Sequence, residues 1–110
     1  MQVKISKVND ITIAGITGDI DGSTAPQVQE QILSEVEAGG KLVLDMSAVP
    51  YMSSAGLRML LVMYRNLVGQ GGKVVLVGLS EDLKDTMEMT GFLEFFDHYD
   101  DLDAGLAATA

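Results

Sequence analysis

Two short apolar runs, Lys41–Met46 (KLVLDM) and Lys73–Leu79 (KVVLVGL), constrain this chain most. Neither alternates polar with apolar side chains, so each strand is apolar on both faces. Strands of that kind are parallel strands in the middle of a sheet, covered above and below. The segment between them supplies a cover. Leu57, Leu60, Leu61, Tyr64, Leu67 and Val68 recur at helical spacing and form one amphipathic stripe. A strand–helix–strand unit with a right-handed crossover follows.

The flanking segments extend that unit. Gln2–Ser6 alternates and reads as a half-exposed edge strand, Val8–Asp10 as a turn, and Ile11–Thr17 as a second strand antiparallel to the first. Ser23 or Thr24 is expected to cap a helix with Pro26 in its first turn. Ala25, Val28, Ile32 and Val36 form its inner stripe, and Gly39-Gly40 end it. Ser80 is a further N-cap, with Glu81 and Asp82 at the positive helix end. Leu83, Met87 and Thr90 are expected to face inward, and Gly91 to stop that helix. Phe92, Phe95 and Phe96 are expected to seal one end of the core, and 100–110 to hold a last short helix. The expectation is a single α/β domain over residues 1–110, with a small, mixed, mostly parallel sheet in the order β-β-α-β-α-β-α.

The 110 residues suit one domain, and 47% hydrophobic content suits a packed core. The formal net charge of −9 argues against nucleic acid and against anionic membrane surfaces, both of which need clustered Lys and Arg. No apolar run is long enough to span a bilayer, and the first residues lack a signal-peptide pattern. The chain has no cysteine. A cytoplasmic setting is expected.

Several tempting sites dissolve on inspection. Gly69–Lys73 contains GGK, but Val74 stands where a phosphate loop needs Ser or Thr, and a strand follows instead of a helix. Asp19 and Asp21, or Asp97, His98, Asp100, Asp101 and Asp103, lack calcium-loop spacing, so no metal site is expected. A hydrolytic serine needs a base. His98 is the sole histidine, and nothing in the sequence places it beside a serine. No catalytic residue and no cofactor are expected.

The stretch Pro50–Arg58 (PYMSSAGLR) stands out. Ser53 or Ser54 can cap the following helix for about 1 kcal/mol. Capping needs only one hydroxyl. It leaves unexplained Gly56, which costs roughly 1 kcal/mol against alanine inside a helix. A glycine there lets another chain approach the backbone. A helix N-terminus also tolerates a phosphate. Capping and a modification switch both fit these residues.

The stretch LVLDMSAVPYMSSAGLRMLL resembles the signature of the STAS domain, the fold of bacterial anti-sigma-factor antagonists. The strand ending in Asp45, then Ser47, Tyr51-Met52 and Ser54–Leu57 carry the resemblance, and Gly18–Ala25 (GDIDGSTA) matches the family's other recurrent stretch. The resemblance implies partner switching. The unmodified protein binds an anti-sigma factor that is also a serine kinase, which frees a sigma factor. Phosphorylation at the start of the second helix releases the complex, and a metal-dependent serine phosphatase resets it. Carried onto this chain, the acceptor is Ser54, with Asp21, Ser23 and Thr24 on the same rim. The family pattern has an acidic residue where this chain has Ser53, which makes Ser53 the alternative acceptor.

Ser53, Gly56 and Met59 complete the expected docking surface, with Met59, Val62 and Met63 expected on the outer face of the helix. Two other readings remain: a non-phosphorylated adaptor or subunit of a transporter or sensory complex, and an enzyme using Ser54 and His98.

Overall fold

The computed structural model describes residues 1–110. Its elements are β1 (Gln2–Val8), β2 (Ile11–Thr17), α1 (Ala25–Leu33), β3 (Lys41–Ala48), α2 (Ser54–Gly69), β4 (Lys73–Val77), α3 (Glu81–Met89), a 3₁₀ turn (Leu93–Phe95), β5 (Asp97–Tyr99) and α4 (Leu102–Thr109). The strands form one sheet in sequence order, β1-β2-β3-β4-β5. β1 pairs antiparallel with β2, and all other neighbours are parallel.

Each crossover steps to the next strand in the same direction. Crossovers of one hand then place their helices on one face. The packing shows the result. Ala14, Ile16, Leu42, Leu44, Met46, Val74 and Leu76 point into a large core beneath α1, α2 and α3. The alternate residues Ile11, Ile13, Val43, Val75 and Val77 point to the opposite face, against Leu102 and Leu106 of α4 and Tyr99. Val43 and Val75 are fully buried, as their apolar runs require. Gly105 of α4 lies directly against the Val77 side chain, so no larger residue fits between helix and sheet.

The structure adds β5, absent from the sequence reading. DHY is short and polar. It is recognisable as a strand only through its pairing with Val75–Val77. β4 ends at Val77, short of the expected Leu79, because Gly78 takes φ 74°. Its amide donates to Tyr99 O at 3.1 Å, and a Cβ there would lie 2.9 Å from the Ser47 side chain. α1 ends at Leu33, well before Gly39-Gly40, leaving Val36 half-buried in a turn. Thr90 is exposed, its hydroxyl donating to Thr86 O at 2.7 Å. Of the three phenylalanines, only Phe96 is buried, edge-on to Tyr64 at 5.1 Å, while Phe95 is exposed.

The outer-face reading of α2 needs correction. Met59 and Met63 are buried in the main core, whereas Val68, assigned to the inner stripe, is exposed. α2 packs against both the sheet and α1, so its apolar arc is wider than the single stripe read from the sequence. Val62 alone of the three stays exposed. Met63→Ala should therefore cost about 2–5 kcal/mol in urea unfolding, while Val62→Ala should stay within about 0.5 kcal/mol of wild type.

Candidate functional site

The loops after β2 and β3 meet at the start of α2, at the C-terminal end of the parallel strands. Ile20 joins them. Its amide donates to Tyr51 O at 3.0 Å, and its carbonyl accepts from Ser53 N at 2.9 Å, making a one-residue parallel bridge with Met52. Ile20 and Met52 are both buried. This explains Gly56. A Cβ there would sit 2.9 Å from Ile20 O and 3.0 Å from Ile20 Cγ2. The backbone that approaches Gly56 belongs to the same chain, and Gly56 is itself buried, so any part it plays in docking is indirect.

The Asp21–Thr24 turn hangs from Ile20. Oδ1 of Asp21 accepts from Ser23 N at 2.9 Å, Ser23 Oγ at 2.7 Å and Thr24 N at 3.1 Å. Asp21 N donates to Thr24 Oγ1 at 2.9 Å, and Thr24 Oγ1 donates to Asp19 O at 3.0 Å. Neither Ser23 nor Thr24 caps α1 with its side chain, contrary to the sequence expectation. Asp21 collects the free amides instead. The Ser23 hydroxyl, then the Ser23 and Thr24 amides, hold its carboxyl below the ordinary 3.8.

Serine capping also fails at α2. Ser53 occupies the N-cap position in an extended conformation, φ −81° and ψ 176°, but makes no side-chain cap bond. Ser80 and Asp101, at the same position of α3 and α4, each accept from an amide three residues on, Leu83 N at 3.1 Å and Ala104 N at 2.8 Å. The Ser53 hydroxyl oxygen is sealed from solvent and has no partner. Ser54 is exposed. The first-turn amides of Ser54, Ala55 and Gly56 have no intrahelical acceptor, and no side chain caps them.

Two open grooves flank the start of α2, and Ser54 lines one of them. Between α1 and α2 lies a space of about 250 Å³ lined by Gly22, Ala25, Pro26, Gln29, Ala55, Arg58, Met59 and Val62. Met59 thus forms part of the groove floor while buried in the core. Between α2 and α3 lies a space of about 370 Å³, whose walls include Tyr51, Met52, Ser53, Ser54, Leu57, Asp82 and Leu83. Tyr51 and Val62 are exposed apolar residues beside these grooves, and Arg58 forms no ion pair.

The fold therefore gathers Asp21, Ser23, Thr24, Ser53, Ser54, Gly56 and Met59 at one end. His98 is not among them; it stands on edge strand β5 and lines neither groove. Asp100 pairs with Lys84 at 3.5 Å, and Asp101 caps α4. The GGK segment is a helix stop, with Gly71 at φ 86° and Lys73 Nζ donating to Ala108 O at 2.8 Å. Sequence reading missed Ile20, whose one available signal is an isolated apolar residue within GDIDGST.

Two measurements test this arrangement. Gly56→Ala should lower stability even though alanine is the better helix former by roughly 1 kcal/mol, because the methyl group displaces Ile20; an unchanged or raised urea midpoint would contradict the packing. Asp21→Ala should unfold at lower urea than wild type at neutral pH. The wild-type carboxylate stabilises the fold above 3.8, and that advantage fades as pH falls through its lowered native value. The gap between the two proteins should narrow in acid.

Comparison with known proteins places this geometry. The family model described as STAS domain matches residues 2–105. A Bordetella bronchiseptica protein named as an anti-sigma factor antagonist, BtrV, is 30% identical over 109 residues, covering 98% of this chain and 94% of that one. The crystal structure of an anti-sigma factor antagonist from Mycobacterium paratuberculosis superposes with a TM-score of 0.87 at 28% identity, covering 98% and 92% of the two chains. SpoIIAA of Bacillus, solved in its phosphorylated form, shares the fold alone, with a TM-score of 0.71 at 16% identity over 94% of this chain and 96% of that one. With a family match from the first strand to the last helix and relatives aligned over nearly their full length, the chain belongs to the STAS domain family.

Proposed function

We propose that this chain is an anti-sigma-factor antagonist that works by partner switching, with Ser54 as its phosphorylation site. The supporting observation is the start of α2. Two hydroxyls stand there and neither caps the helix; one is buried and the other is exposed and lines the groove between α2 and α3. Ser54 stands exposed, whereas the Ser53 oxygen is buried in the rotamer that the unmodified chain adopts, which favours Ser54 over the alternative. The names of the full-length relatives support the same role.

The switch has simple chemistry. The unmodified chain binds an anti-sigma factor that is also a serine kinase, through the rim of Asp21, Ser23 and Thr24, the tip of α2 and the Met59 groove. The kinase supplies the base that takes the Ser54 proton. Ser54 Oγ bonds to the γ-phosphorus of ATP as the bond to the β-phosphate oxygen breaks, and ADP leaves. A serine phosphatase delivers water to the phosphorus, restoring the hydroxyl and releasing inorganic phosphate. This chain contributes the acceptor and the surface, with no catalysis of its own. Its setting is cytoplasmic.

The phosphate adds about −1.5 to −2 charges to a chain already at −9, in the groove that Asp82 also lines. It also needs space and water where the partner packs. A loss of about 2.7 kcal/mol lowers affinity a hundredfold. Incubation with ATP and the anti-sigma kinase of the same organism should place phosphate on Ser54 by mass spectrometry. Ser54→Ala should stay bound, and Ser54→Asp should bind about a hundredfold more weakly by calorimetry. Equal binding by wild type and Ser54→Asp would favour a non-phosphorylated adaptor, and modification of Ser54→Ala would move the site elsewhere.

A further inference from the structure

We propose that Ser53 is a hydrogen-bond donor held for the modified state: its hydroxyl turns to the phosphate carried by Ser54. The inference rests on Ser54 as the acceptor, and it assigns its neighbour the role of phosphate ligand in place of rival acceptor.

Ser53 Oγ is the one buried side-chain polar atom in the chain without a hydrogen-bond partner. Buried hydroxyls are almost always paired, because burial without a partner costs free energy. The helix end beside it likewise lacks a side-chain partner. No side chain caps α2, although Ser80 and Asp101 cap their own helices from the same position. The unmodified chain thus leaves one hydroxyl and the amides of a helix's first turn unused in the same place. An anion satisfies both at once.

Ser53 and Ser54 line the same groove between α2 and α3, so a phosphate on Ser54 that folds back over the helix end lies within it. Rotation about χ1 alone redirects the Ser53 hydroxyl. The chemistry suits a serine and excludes a carboxylate, which would repel the phosphate instead of donating to it. Of the acidic side chains facing this groove, Asp82 of α3 opposes the phosphate, and Tyr51 from the loop adds a phenol to the wall. Arg58 lines the other groove, on the α1 side of the helix.

The test needs no kinase. Phosphoserine is incorporated at position 54 during translation, and the second ionisation of the phosphate is followed by phosphorus NMR. Donation to the dianion lowers its pKa from the ordinary value of about 6. Ser53→Ala should therefore raise the pKa by about half a unit relative to the parent, Ser53→Thr should keep the parent value, and Asp82→Asn should lower it. Ser53→Cys, close in volume but a weak donor, should follow Ser53→Ala and stands in for it should the alanine variant misfold.

An Ala or Cys variant that titrates with the parent overturns the assignment, as does a Thr variant that shifts as far as Ala. A kinase that ignores Ser54 sinks the partner switch without touching this titration, so the two failures are distinguishable.

Discussion

Burial of β3 and β4 on both faces is the constraint from which the rest of the molecule follows. Val43 and Val75 point one way, and Leu42, Leu44, Val74 and Leu76 the other, with none left in water. Two layers of cover are compulsory. Because the crossovers all step in one direction, α1, α2 and α3 crowd one face and only the short α4 remains for the other. Gly105 lets that helix lie close enough to serve, directly on Val77. The same stepping lines up the loops after β2, β3 and β4 at one end of the sheet, which is where open parallel sheets carry their sites.

At that end a single main-chain unit does the joining. Ile20 binds the loop after β2 to the loop after β3 through both its amide and its carbonyl, and Gly56 is bare so that α2 can begin against it. The Asp21 turn is self-contained through its own hydrogen bonds, and Ser47 likewise folds back on Asp45 at 2.7 Å. These turns keep their shape without help from a partner. What they leave exposed is a short ridge, the tip of α2, with one groove toward α1 and another toward α3.

Much of this was legible in the residue order. The apolar runs of β3 and β4, the alternation in β1 and the helical spacing after Ser54 gave the elements and their pairing, because each is a pattern of burial. β5 was not legible, since Asp97–Tyr99 is a strand only by virtue of its neighbour β4. Met59 and Met63 were misplaced because the sequence shows a helix's apolar arc but not how many surfaces it meets. Gly56 was correctly read as a point of close approach, and the wrong chain was expected to approach it. The two serines were the hardest case. A hydroxyl at a helix start looks the same on paper whether or not it caps, and only the fold shows that Ser53 leaves its amides alone.

The tethering by Ile20 has a consequence for tempo. Loops bound to each other on both sides of one residue do not swing, so on the partner-switch reading the mark on Ser54 is felt as altered surface chemistry rather than altered shape. On that reading, release after modification calls for no rearrangement of these loops. The lifetime of either state then belongs to the enzymes that write and erase the mark, and the molecule itself is a token that keeps no clock.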